Sequence, residues 1–177
     1  MVDRDRGDGD GSGASGRSRR ATRRGVLVSL GAGATAALAG CTGASDDPTY
    51  EEGEVGTAGG DPRNASEMSA AAALAPSGTN GAASSLDALS LEGHEFVVQS
   101  GYKGATVRGT VANVSERTVS YVEVRVRAYD ADGAMLGRYL ATAGDLAGGT
   151  EWGFEVLVLT SPADVATYDV AVLGVPE

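Results

Sequence analysis

From Ser120 to Asp130 the chain alternates strictly, with Val122, Val124, Val126 and Ala128 on one parity and Glu123, Arg125, Arg127 and Tyr129 on the other. Successive side chains of an extended chain point to opposite faces, so this pattern requires a β-strand with one apolar and one wet side. The same period recurs on both flanks. His94 to Gln99 is apolar around Phe96-Val97-Val98, and Ala105 to Val114 places Val107, Gly109 and Val111 on one face. Asp130-Ala131-Asp132-Gly133 has turn chemistry, so Met135 to Thr142 is expected to return as a hairpin partner. Gly148-Gly149 marks a second turn before Thr150 to Thr160, where Trp152, Phe154, Val156 and Val158 share a face, and Tyr168, Val170 and Val172 pattern a last strand over Ala166 to Leu173. Six to seven short strands with regularly spaced turns predict an all-β fold, a single β-sandwich over residues 89–175. Trp152 and Phe154 are expected in its core.

Val107-Arg108-Gly109-Thr110-Val111-Ala112-Asn113 resembles the "V-x-G-x-V-x-N" strand of FxLYD-type domains. Val122 to Asp130 with Asp132-Gly133 is similar to their second block, and Val126-Arg127-Ala128-Tyr129-Asp130 falls on the naming signature. There only Tyr-Asp is literal, Val126 and Ala128 replacing a larger Phe and Leu. Leu146 to Phe154 resembles the glycine turn that leads into an aromatic strand. The resemblance implies a small immunoglobulin-like sandwich in an extracytoplasmic setting and carries no common catalytic site.

The first 41 residues read differently. Thr22-Arg23-Arg24-Gly25-Val26-Leu27 resembles the twin-arginine translocation motif, with Arg23 and Arg24 as its pair. The uncharged run from Gly25 to Gly40 is shorter than the roughly 20 apolar residues a membrane span needs, and fits a signal peptide's apolar region. It closes on Leu38-Ala39-Gly40-Cys41, which matches a lipobox at every position. Residues 1–40 are therefore expected to be a signal peptide, and Cys41 the lipidated first residue of a protein anchored to the outer face of a membrane. Cys41 is the only cysteine, so no disulfide and no thiolate metal cluster can form within the chain.

Between Thr42 and about Ala88 the composition is Ala, Gly, Ser, Asp and Glu with few large apolar residues. Such a stretch cannot bury enough surface to offset the entropy of ordering, so residues 41–88 are expected to be the lipidated cysteine and a disordered tether. A coil of that length spans about 35 to 40 Å. Ser69 to Ala75 is expected to form no more than a transient helix, ended by Pro76-Ser77-Gly78. Asn64-Ala65-Ser66 and Asn113-Val114-Ser115 are sequons, making Asn64 and Asn113 candidate glycosylation sites. Asn113 has a competing role, holding a strand-to-turn junction by side-chain hydrogen bonds.

Charge and chemistry narrow the function. After Cys41 there are seven basic residues against twenty acidic ones, a net charge of −13. Nucleic acid is an unsuitable partner, since binding it needs a basic footprint. Lys103 is the only lysine, and the acidic, Ala-, Gly- and Val-rich composition is similar to that of halophilic archaeal proteins. His94 stands alone, reads as a polar edge residue, and has no partner ligand for a metal. Asp130-Ala131-Asp132-Gly133 lacks the further carboxylates of a calcium loop. No nucleophile elbow is present, and no catalytic residue, cofactor or metal is expected. The expectation is a non-enzymatic, membrane-anchored extracytoplasmic lipoprotein whose sandwich engages an unknown envelope protein. The alternative is a solute- or cation-binding accessory lipoprotein of a transporter.

Overall fold

The computed structural model describes residues 47–57 and 60–177. Seven strands and one helix follow in the order β1 (Glu51–Glu54), α1 (Ala65–Leu74), β2 (Leu89–Val98), β3 (Ala105–Asn113), β4 (Val119–Tyr129), β5 (Met135–Leu146), β6 (Glu151–Leu157) and β7 (Thr167–Pro176). One sheet runs β1-β7-β4-β5 and the other β2-β3-β6, every neighbouring pair antiparallel. Their facing surfaces make the core. Val122, Val124, Val126 and Ala128 of β4 are fully buried, as are Val107 and Val111 of β3 and Val156 of β6, with Phe154 nearly so. The parity of the sequence thus sets which face of each strand is apolar.

The six strands expected from the alternation all form. Asp130 closes the β4–β5 hairpin by accepting the backbone N–H groups of Asp132 and Ala134 on Oδ1 at 3.0 and 2.8 Å, with Gly133 at φ 80°. Gly149, at φ 69°, turns β5 into β6. In immunoglobulin lettering β2, β3 and β6 stand as A, B and E, while β5, β4 and β7 stand as C′, C and F. The place of strand G, beside F, is taken by β1, which comes from before strand A.

That strand corrects the expectation of a disordered tether over residues 41–88. The described part of the stretch is a belt folded onto the sandwich. β1 pairs with Thr167–Val170, and Val55 behind it is buried. Arg63 then donates to the carbonyls of Tyr102 and Val158, both at 2.7 Å, of Ala105 at 2.9 Å, and of Lys103. Helix α1 starts in a capping box: Asn64 Oδ1 accepts from Glu67 N and Glu67 Oε2 from Asn64 N, each at 3.0 Å. It is thus longer and firmer than the transient alanine helix expected, and it stops before Pro76 as anticipated. Farther on, Asn80 N donates to Glu123 at 2.8 Å, and Ser84 exchanges two backbone hydrogen bonds with Gly174. The belt is held largely by hydrogen bonds to backbone carbonyls, a helix cap, one buried carboxylate and the Tyr50–Arg127 contact, which leave no hydrophobic period in the sequence.

The belt also overturns the wet face assigned to β4. Glu123 is fully buried on the outer side of the four-stranded sheet, where Leu140, Ala171 and Leu173 are buried as well. Its carboxylate accepts from Arg125 Nε at 2.5 Å and Tyr121 Oη at 3.0 Å in addition to Asn80 N. Trp152 is half-buried, packed against the core from the β6 edge rather than enclosed in it. His94 is not a free edge residue, since its Nδ1 lies 2.9 Å from the hydroxyl of Tyr168 and so ties the two sheets together. Tyr168 reaches it by passing over Gly53, where any Cβ would meet the ring at 2.3 Å.

Candidate interaction face

The two outer faces of the sandwich differ in what covers them. The four-stranded sheet lies under the belt, whereas the three-stranded sheet shows two rows of side chains to solvent. Its first row is Glu95–Arg108–Glu155, in register across β2, β3 and β6. Arg108 donates to Glu95 at 2.8 Å through Nε and at 2.7 Å through Nη2, and these side chains are 50% and 60% exposed. Glu155 accepts Lys103 Nζ at 2.6 Å. That hydrogen bond lowers the pKa of Glu155 and raises that of Lys103, so both stay charged near neutrality. Such pairs contribute little stability in water but fix a charge pattern on the surface.

The second row is Gly93–Thr110–Gly153. Two glycines beside one threonine leave a shallow open trough of about 590 Å³ along the charged row. Gly93 sits at a bulge with φ 141°, a conformation that favours glycine. Gly109 is constrained from the other side, since a Cβ there would stand 2.2 Å from the Gly93 carbonyl and 2.7 Å from the Phe154 ring.

Next to the trough, and sharing Glu155 with it, is a cleft of about 300 Å³ where the end of α1 meets β5 and β6. Leu74, Pro76, Tyr102, Trp152 and Leu157 supply apolar walls, and Lys103 with Glu155 forms a polar rim. Leu74 is 62% and Tyr102 41% exposed. A partly exposed tryptophan and tyrosine thus stand together beside an apolar cleft with a charged rim. Sequence parity could locate Arg108, Thr110 and Glu155 on one face. Leu74 and Tyr102 lay beyond that reading because the belt brings them in.

Asn113 is 1% exposed, its Nδ2 donating to the carbonyls of Arg117 at 2.7 Å and Leu146 at 2.9 Å. Its Oδ1 accepts from Ser115 N and Oγ at 3.1 and 2.8 Å. It is therefore the strand-to-turn lock, and its candidacy for glycosylation is corrected: the amide nitrogen is buried and fully used. Asn64 is exposed, and the capping box engages its oxygen and backbone rather than its amide nitrogen. Cys41, Arg23 and Arg24 lie outside the described residues.

Elsewhere, Asp169 takes a two-pronged ion pair from Arg127, at 2.9 Å to Nε and 2.5 Å to Nη2, with the Tyr129 hydroxyl at 3.0 Å. The Tyr50 ring lies 3.5 Å from that guanidinium. The ion pair raises the Arg127 pKa. Among the described residues no cluster of three or more His, Cys, Asp or Glu could hold a metal ion, and no helix is long and apolar enough to cross a membrane.

No family model matches the chain, and no solved structure matches it. The chain is similar to the uncharacterized protein MJ0360 of Methanocaldococcus jannaschii, 31% identical over 84 residues, which cover 46% of this chain and 61% of that protein.

Proposed function

We propose that the protein is a non-enzymatic lipoprotein, exported through a twin-arginine signal, anchored by a lipid on Cys41 to the outer face of a membrane, and engaging another envelope protein. The lipobox and the Arg23-Arg24 motif support the location, and the strongly acidic composition suits a high-salt exterior. The FxLYD-like strand signatures support the same extracytoplasmic setting. Exposed Asn64 is its candidate glycosylation site.

One observation carries the interaction reading. The belt covers the outer face of one sheet, while the outer face of the other carries an open trough that leads into an apolar cleft. A domain serving only as a spacer has no use for exposed Leu74 and Tyr102 beside half-buried Trp152. The test is in-cell photo-crosslinking with a reactive residue placed in turn at Thr110, Leu74 and, as a control, Asp132 in the β4–β5 turn. The expected result is one discrete adduct from Thr110 and Leu74 that the control lacks. Equal adducts at all three positions, or none, would overturn the assignment of the face.

A further inference from the structure

Folding of the belt shortens the distance between lipid and domain, and with it the choice of which end meets the membrane. Tyr50 is already fastened to the sandwich, its ring against Arg127, and β1 follows at once. From Cys41 to Tyr50 are nine peptide units, a span of at most about 30 Å fully extended and about 15 to 18 Å as a coil. The sandwich is itself about 35 Å long, judged from the eleven residues of β4.

The direction of exit is also set. β1 runs from Glu51 opposite Val170 to Glu54 opposite Thr167, so the chain before it heads toward the Val172–Pro176 part of β7. Thr49 accordingly lines a small depression with Leu86, Leu89 and Val172. That end of the sandwich carries the β3–β4 and β5–β6 turns, with Val114 62% exposed at its tip. The β4–β5 turn lies at the opposite end.

We propose that the end formed by the β3–β4 and β5–β6 turns faces the lipid headgroups at close range, with Val114 its nearest exposed apolar side chain, while the β4–β5 turn points away. This rests on the lipid anchor at Cys41 read above. Glu116, Asp145 and Glu177 outnumber Arg117 there, so the placement comes from chain length and not from charge attraction.

The test uses the full lipidated chain, purified from membranes and reconstituted in phosphatidylcholine vesicles with a headgroup-labelled lipid acceptor. A donor dye goes on a single new cysteine at Glu116→Cys or Asp132→Cys, the native thiol being taken up by the lipid. Energy transfer should be at least about threefold stronger from residue 116 than from 132, which stand about a strand length apart. Inserting roughly twenty Gly/Ser residues before Asp47 should erase that difference. Equal or inverted transfer in the uninserted protein, or a difference that survives the insertion, would overturn the orientation. The mass of the N-terminal peptide is read on the same sample: absence of lipid there sinks the anchor itself, whereas lipid present with equal transfer sinks only the orientation.

Discussion

Replacing Glu123 by alanine removes the acceptor for three donors at once. Arg125, with a side chain 13% exposed, loses its carboxylate partner, and the Asn80 N–H and Tyr121 hydroxyl lose their acceptor. Breaking a buried ion pair by deleting one member costs about 3–5 kcal/mol, because the remaining charge stays desolvated. In a domain of this size that lowers the melting temperature by about 10–20 °C. Glu95→Ala is the control, since both members of its pair with Arg108 are at least half exposed and the pair contributes no more than about 1 kcal/mol. Salt separates the two further. The loss from Glu123→Ala should persist in molar salt, because burial shields the pair from screening, while the Glu95→Ala effect should vanish. Melts by circular dichroism, run with amide exchange over residues 78–84, report stability and belt release together. A loss below about 1 kcal/mol with unchanged exchange at Asn80 would refute the claim that this carboxylate latches the belt.

Other outcomes follow from the same contacts. Burial raises the Tyr168 phenol to about 12. The folded state then holds a proton that the unfolded chain releases near pH 10. Stability from this group is therefore complete below pH 10 and falls by no more than about 2 kcal/mol between pH 10 and 12; Tyr168→Phe should make the alkaline fall in denaturant melts shallower, leaving the part due to Tyr121 and Tyr129, whose phenols burial also raises. Glycopeptide mass spectrometry of protein from its native membrane should find modification at Asn64 and none at Asn113; the reverse would contradict the burial of Asn113. Asn113→Ala should cost about 2–4 kcal/mol through its lost backbone hydrogen bonds, against less than about 1 kcal/mol for Asn64→Gln. Arg23→Lys with Arg24→Lys should leave precursor in the cytoplasm on fractionation, and normal export would refute the twin-arginine route.

The sequence revealed the sandwich and hid the belt, for one physical reason. Strands whose inner faces are buried repeat every two residues, so β2 to β7 were visible through Val107, Val124, Phe154 and their neighbours. The belt buries little apolar surface of its own. Arg63 reads as a solvated charge until four carbonyls surround it, and Glu-Glu-Gly-Glu reads as a polar coil although it fills the edge slot beside β7. Gly53 is required there because Tyr168 crosses it, a constraint that exists only once β1 and β7 are paired. Glu123 is a related case. Its parity correctly put it outside the core, but nothing in the local pattern said that a segment 43 residues earlier would cover it. Asn113 was legible because Ser115 and Arg117, among its partners, lie in the turn that follows it.

Anchoring of the domain rests on Cys41, and intact-mass analysis of the N-terminal peptide from membrane-extracted protein tests it directly. The predicted result is a peptide that begins at Cys41 and carries lipid on its sulfur. A peptide that begins upstream of Cys41, or one with a free thiol there, would contradict an anchored domain standing close to the bilayer.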